Sequence, residues 1–179
     1  IWLPIVDELP SIAWTIRYWD RAATEEKAGN DPDWTAGVKI SKTTDGRYVV
    51  EDVARFRLSP GRVRQSIRAI ASQDGATVIQ VLEEDPGQAG KSDIDSLTEY
   101  LEGSPVDVRR VTKEKGIRAI PLSAACEHGK VSLLRGAWNT EYISELVAFD
   151  EGPHDDQVDA SSGAFNYLAE QKVPRLRQL

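Results

Sequence analysis

Methionine, cysteine and long apolar runs are scarce or missing in this 179-residue chain. The single cysteine, Cys126, excludes an internal disulfide framework and is typical of a reducing, intracellular protein. No apolar run approaches the roughly 20 residues that a membrane-spanning helix requires, so we expect no membrane segment. Because methionine is absent even from position 1, we expect the chain to be a fragment of a longer polypeptide.

Positive charge is also in short supply, with 22 Lys and Arg against 29 Asp and Glu and a net charge of −7. This balance argues against a protein that coats nucleic acid by bulk electrostatics. It does not exclude an enzyme whose acidic site is neutralised by bound metal ions. The length and the 40% hydrophobic content predict one domain with a core of its own.

A nucleotide-binding phosphate loop is missing as well. Gly90-Lys91-Ser92 resembles the end of such a loop, which requires a first glycine five positions before Gly90. That position holds Asp85, whose carboxylate would stand where backbone amides should cradle a phosphate. We therefore predict no nucleotide site here.

Three carboxylates crowd into five residues near the C-terminus: Asp155, Asp156 and Asp159. They stand at the start of a predicted helix, where an acidic side chain can simply cap unpaired amides and meet the positive end of the helix dipole. Three such charges repel one another unless a cation lies between them. Oxygen-only ligands favour Mg²⁺ or Mn²⁺ over zinc. The pattern therefore predicts a metal site, with helix capping as the alternative.

Two further acidic positions follow predicted strands. Asp20 ends a segment rich in Ile, Trp, Thr and Tyr, and Glu83-Glu84-Asp85 follows the nearly continuous apolar run 76–82. Because side chains alternate along a strand, Glu83 and Asp85 share one face and Glu84 lies on the other. Each acid alone could merely mark the exit of a strand to solvent. Together with the C-terminal acids they predict one composite site, since ligands gather at strand ends of such sheets.

The order of elements predicts an α/β fold with a central mixed sheet, an antiparallel meander followed by parallel strands, flanked by helices. We expect strands at 11–20, 34–42, 47–58, 76–82, 106–111 and 131–134. We expect helices at 59–72, 93–102, 119–126, 139–148 and 155–171.

Five segments, in this order, carry a resemblance to a known family. They are RYWDRAAT at 17–24, EEDPGQAGK at 83–91, RAIPLS at 118–123, GAWN at 136–139 and GPHDDQVDA at 152–160. Over roughly residues 12–169 the chain resembles the C-terminal nuclease domain of the large terminase subunit of tailed bacteriophages and proviruses. The resemblance implies a ribonuclease H-like fold and metal-dependent endonucleolytic cutting of concatemeric double-stranded DNA.

The resemblance also implies roles for individual residues. Asp20, Glu83 and Asp156 correspond to the catalytic, metal-holding acids. The further candidate ligands are Asp159, Asp155 and Asp85. Where relatives often have Glu-Gln-Glu-Pro this chain has Glu-Glu-Asp-Pro, so the ranking within residues 83–85 stays open.

The implied mechanism uses two Mg²⁺ or Mn²⁺ ions, which activate a water and stabilise the leaving oxygen of a phosphodiester. His154 could assist proton transfer or could serve only as a residue at the start of the helix. Basic side chains are candidates for steering the DNA backbone into the acidic site: Lys113, Lys115, Arg118 and Lys130.

The domain organisation follows from the same resemblance. We expect residues 1–10 to be the linker remnant of an absent N-terminal ATPase motor, 11–172 the nuclease domain and 173–179 a flexible tail. The implied partners are double-stranded DNA, the motor domain, the portal and the small terminase subunit, in the host cytoplasm and transiently at the procapsid portal. The alternatives are a ribonuclease H-like resolvase or transposase, and a non-catalytic domain that docks on portal or motor.

Overall fold

A computed structural model describes residues 3–21, 34–110, 114–149 and 154–171. The strands are β1 (Ile5–Val6), β2 (Ile12–Asp20), β3 (Thr35–Thr43), β4 (Tyr48–Phe56), β5 (Ile79–Glu84), β6 (Val106–Arg110) and β7 (Val131–Leu134). The helices are α1 (Pro60–Asp74), α2 (Gln88–Tyr100), α3 (Lys115–Glu127), α4 (Asn139–Val147) and α5 (Asp156–Glu170).

The seven strands form one mixed sheet in the order β1-β7-β4-β3-β2-β5-β6. Only the β2–β3 and β3–β4 pairs are antiparallel, and the other four pairs are parallel. The meander and the parallel strands are therefore both present, as predicted. Consequently β2, β4 and β5 end at the same edge of the sheet, where β3 begins.

Helices cover both faces of the sheet, so its central strands bury side chains on each side. One core joins Ile16, Val38 and Val81 of the sheet to residues of α3, α4 and α5. The second core, on the other face, packs α1 and α2 against Trp19 and Leu82. No helix in the described ranges is long and apolar enough to span a bilayer.

The observed elements differ from the predicted bounds most clearly in three places. The segment predicted as a linker contributes strand β1, which pairs with β7 through Ile5↔Leu133. Helix α2 begins at Gln88 and α3 at Lys115, five and four residues before the predicted starts. The extra turns contain glycine and few apolar side chains, so periodicity could not reveal them. The predicted tail 173–179 lies outside the described residues.

Candidate active site

Asp20 and Glu83 end two neighbouring parallel strands. Their strands pair up to Trp19↔Leu82, so Asp20 and Glu83 follow one step further along the same register. Tyr18 pairs with Val81 in that register, and alternation puts Asp20 on the face of Tyr18 and Glu83 on the face of Val81. Both acids therefore belong to the face that α5 covers.

Tyr18 fixes the position of the Glu83 carboxylate. Its hydroxyl donates a hydrogen bond of 2.8 Å to Glu83 Oε1. The ring can lie against α5 because residue 163 is glycine, since a Cβ there would overlap the Tyr18 ring. Burial, followed by the charge of Glu83, raises the pKa of Tyr18, so the hydroxyl stays protonated as a donor. Sequence reasoning gave Tyr18 no role, although its position two residues before Asp20 puts both on one strand face.

Arg118 lies between two of the acids. Its Nη1 is 3.1 Å from Glu83 Oε1, and its Nη2 is 3.7 Å from Asp159 Oδ1. The Arg118 side chain is 10% exposed and that of Asp159 only 2%. Arg118 was predicted to steer the DNA backbone into the acidic cleft, and its guanidinium is part of the acidic site, where it bridges the sheet to α5.

The pKa of the Glu83 carboxyl is raised although Tyr18 and Arg118 both donate hydrogen bonds to it. Burial raises its pKa, and the charge of Asp159 raises it further, against the opposing effects of Arg118 and of the Tyr18 hydrogen bond. Burial disfavours the charged form, and a like charge adds to that cost. A bound cation would relieve it.

Asp156 begins α5 and faces a second group of acids. Its pKa is raised by burial, then by Glu145 and Asp155, with Arg55 acting in the opposite direction. The Glu145 carboxylate is held in place by Gln157, whose backbone N–H and side-chain amide donate to it at 2.6 and 2.5 Å. The start of α5 therefore concentrates negative charge at the edge of the sheet where Asp20 and Glu83 end.

The other acids of the predicted set are placed differently. Asp155 precedes the first residue of α5, and its side chain makes no capping hydrogen bond with the helix among the residues described. Asp85 is exposed and lies just past the end of β5. Glu84 pairs with Arg110 at 2.8 Å, in line with the parity argument that separated it from Glu83.

Lys130 lies far from these acids. Its carbonyl accepts from the Tyr48 amide at the start of β4, at the opposite end of the sheet from the ends of β2 and β5. The sequence could not reveal this, because the position depends on how β7 pairs. Lys115 is the first residue of α3, with its side chain outside the described part of the structure, and Lys113 lies outside it altogether.

The fit of these residues to a divalent ion depends on donor type and charge. Within the described parts of the chain, no three Asp, Glu, His or Cys side chains stand close enough to enclose one ion. The donors at this corner are nevertheless carboxylate oxygens, which Mg²⁺ and Mn²⁺ prefer. The Arg118 guanidinium already occupies a cation position between Glu83 and Asp159. The acids thus fit a divalent ion, and holding one requires them to draw closer together.

A cleft of about 510 Å³ opens beside this network. Tyr18 and Arg118 form part of its wall, together with Arg109, Arg110 and Tyr167. Arg109 lies over the Tyr167 ring, with its guanidinium carbon 4.5 Å from the ring centroid. The cleft therefore has three arginines in its wall, Arg109, Arg110 and Arg118.

The sequence matches a family profile described as "Terminase RNaseH-like domain" over residues 17–168. No curated protein sequence matches the chain.

Solved structures share this fold at low identity. The large terminase nuclease from thermophilic phage G20c, with bound zinc, is 17% identical with a TM-score of 0.61, covering 93% of this chain and 92% of its own. The human cytomegalovirus terminase nuclease domain, manganese-soaked and inhibitor-bound, is 13% identical with a TM-score of 0.59, covering 89% and 84%. The fowlpox virus Holliday junction resolvase is 12% identical with a TM-score of 0.51, covering 87% and 97%.

Proposed function

Because the chain belongs to the family of terminase ribonuclease H-like domains, we propose that it is the metal-dependent nuclease domain of a viral DNA-packaging terminase large subunit. In this role it cuts concatemeric double-stranded DNA. The observation that carries the proposal is the meeting of Asp20 and Glu83 at the ends of two parallel strands, beneath the acidic start of α5.

The acids have separate roles in this proposal. Asp20 and Glu83, at the ends of neighbouring strands, hold the divalent ions together with Asp156. Asp156 is chosen from the start of α5 because its side chain is only half-buried and can be reached from solvent. Asp159 is almost fully buried and lies beside Arg118, so it acts as a positioning residue that keeps the guanidinium against Glu83. Asp155 and the exposed Asp85 remain alternative ligands. When bound, the ions supply an activated water and neutralise charge at the leaving oxygen.

The chain's own groups prepare that chemistry. Tyr18 and Arg118 hold one Glu83 oxygen by direct hydrogen bonds, which leaves the other oxygen oriented for a ligand. Burial of the carboxyl groups excludes water from the site except on its open side. The buried part has a low dielectric, which strengthens electrostatic interactions there. His154, two residues before α5, is the candidate that we propose for proton relay.

The identity of the metal is part of the proposal. Structures of the G20c nuclease have been determined with bound zinc, magnesium and cobalt, and the cytomegalovirus domain was soaked with manganese. Carboxylate ligands without cysteine favour Mg²⁺ or Mn²⁺ for this chain. The partners we propose are an ATPase motor domain, the portal and the small terminase subunit, met in the host cytoplasm.

Cleavage of supercoiled plasmid tests the proposal. We expect the 179-residue chain to nick and linearise DNA with Mn²⁺ or Mg²⁺, and the Asp20→Ala variant to be inactive. Asp95→Ala, which removes an exposed carboxylate of α2 on the other face, is the matched control and should cut normally. DNA binding without nicking in either metal would contradict the proposal. A strong preference for four-way junctions over linear duplex would favour a resolvase.

A further inference from the structure

A cation–aromatic cluster stands at the same edge of the sheet as the acids. Trp34 precedes β3, and its ring lies under two arginines from the end of β4. The guanidinium carbon of Arg55 is 4.1 Å from the Trp34 ring centroid, and that of Arg57 is 4.4 Å from it. Both distances are within cation–π range.

The cluster lies in the same row of the sheet as the first catalytic acid. Ala36 of β3 pairs with Asp20 on one side and with Arg55 on the other, so all three side chains point to the face covered by α5. Since neighbouring strands are about 4.8 Å apart, the Cα atoms of Asp20 and Arg55 are separated by about 10 Å.

Contacts with α4 and the start of α5 hold the cluster in place. Arg55 Nη2 is 3.4 Å from the buried carboxylate of Glu145, and the Arg55 side chain is 18% exposed. Arg57 Nη2 is 3.4 Å from His154 Nε2. The His154 ring meets Trp34 edge-on at a centroid distance of 6.5 Å. These contacts fix the arginines beside the acidic start of α5.

Such an arrangement suits an anionic oxygen ligand. A guanidinium that stacks on an indole is restrained by the ring face while N–H donors at its edge can still reach an oxygen. Because it is already ordered, it loses less side-chain entropy on binding a phosphate than a mobile lysine would. A chain with a net charge of −7 and a carboxylate-rich site needs such local cations, since the carboxylates otherwise repel the DNA backbone.

We propose that Trp34, Arg55 and Arg57 form a subsite for a phosphate of the DNA backbone. The Cα of Arg55 is about 10 Å from that of Asp20, and Arg57 is two residues further along the chain, so the bound phosphate is near the one that is cut and is not the cut phosphate itself. This placement rests on the proposed nuclease function; the phosphate contact itself does not. Arg57, which follows the last residue of β4, makes the main contact, and Trp34 orients it.

Equilibrium DNA binding without cleavage tests the subsite. Fluorescence anisotropy of a labelled duplex is measured in chelator at several salt concentrations for the wild-type chain, Arg57→Gln and Arg47→Gln. Arg47 is a matched control, because it is 60% exposed and lies in the hairpin at the opposite end of the sheet. We expect Arg57→Gln to weaken binding three- to tenfold and to reduce the slope of log K against log salt by about one. Arg47→Gln should leave both unchanged.

Two additional variants separate contact from folding. Arg57→Lys keeps the charge but not the planar fork, so we expect the salt slope to be retained and the affinity to fall only partly. Trp34→Leu should weaken binding while leaving the slope near the wild-type value. Circular dichroism and Tm show whether each variant is folded.

The outcomes also distinguish this subsite from the proposed function. An Arg57→Gln variant that binds as tightly and with the same slope as Arg47→Gln overturns the subsite, even if the wild-type chain cuts DNA. Loss of affinity in Arg57→Gln supports the subsite, even if no metal induces cutting. A wild-type chain that binds no duplex at low salt overturns the subsite, whereas plasmid cleavage with Mn²⁺ or Mg²⁺ decides the nuclease function.

Discussion

Two polar networks begin at consecutive residues of β2 and lie on opposite faces of the sheet. Arg17, 2% exposed, donates to Asp74 at 2.6 Å and to Asp52 at 2.8 Å beside the core formed with α1 and α2. Tyr18, on the other face, donates to Glu83 in the acidic site. Alternation along one strand is enough to separate them.

The two networks hold their carboxylates in opposite electrostatic states. Burial alone would raise the pKa of Asp74, but hydrogen bonds and charge from Arg17 outweigh it, and the pKa is lowered. Burial raises the pKa of Glu83, and the charge of Arg118 does not outweigh it. The Arg17 network is therefore satisfied as it stands, whereas the Glu83 network favours an additional cation. The stabilising Arg17 network and the proposed metal site therefore lie on opposite faces of one strand.

Neutralising Asp74 should produce the largest effect. In Asp74→Asn the Arg17 charge stays buried with only the half-exposed Asp52 as its carboxylate partner, so we expect the free energy of unfolding to fall by about 3–5 kcal/mol. This corresponds to a Tm lower by about 10 °C. Asp52→Asn is the control, expected to cost less than about 1 kcal/mol in denaturant titration. An equal decrease in the free energy of unfolding in the two variants would show that Asp74 stabilises Arg17 no more than Asp52 does.

The same change at Glu83 should spare stability and remove activity. A glutamine oxygen still accepts from Tyr18 and Arg118, and the cost of burying the charge disappears, so we expect Glu83→Gln to unfold at the wild-type Tm or above it. Cleavage should fall by more than about 100-fold, because altering even a residue that only orients a metal ligand costs 10- to 100-fold. Plasmid cleavage and thermal unfolding check the two halves. Normal cleavage would remove Glu83 from the site.

Divalent metal should stabilise the folded chain through the acids on the Glu83 face and not through the Arg17 network. At a concentration 100 times its Kd, a bound ion adds about 2.7 kcal/mol to the free energy of unfolding, which raises the Tm by about 5–10 °C. We expect this rise with Mn²⁺ for the wild-type chain and for Asp52→Asn, and a much smaller one for Glu83→Gln and Asp20→Ala. A rise that persists in both site variants would place the ion elsewhere.

The dependence of stability on pH should have opposite signs in the two networks. This is the smallest of the expected effects. Between the ordinary value of 4.5 and its raised pKa, Glu83 holds more proton in the folded chain than in the unfolded one. Stability therefore falls as the pH rises through that window. For Asp74 the folded chain holds less proton below the ordinary value of 3.8, so stability falls as the pH drops there.

Thermal unfolding from pH 3 to 7 in chelator measures both slopes. Glu83→Gln should flatten the decline above pH 4.5, and Asp74→Asn should flatten the one below pH 3.8. If Glu83→Gln instead steepens the upper decline, the Glu83 carboxylate is stabilised by its partners and the contrast between the faces fails.

Local sequence patterns predicted much of the fold. The apolar run before Glu83, the hairpin turn at Asp45-Gly46 and the Ser59-Pro60 helix start each report a local preference of the backbone, and β5, the β3–β4 hairpin and α1 lie there. β1 was missed, because a two-residue strand has no periodicity. α2 and α3 began early for a related reason, since their first turns are polar and contain glycine.

The candidate site divides along the same line. The sequence by itself determined that acids stand at the ends of β2 and β5 and at the start of α5, because strand alternation and helix position are local properties. Only the tertiary structure decided that Arg118 lies between Glu83 and Asp159, that Asp156 faces Glu145 rather than Arg118, and that Lys130 is at the far end of the sheet. Those relations depend on strand order and helix packing. Most of them join residues more than thirty positions apart, such as Glu83 and Arg118, and they leave no local trace in the sequence.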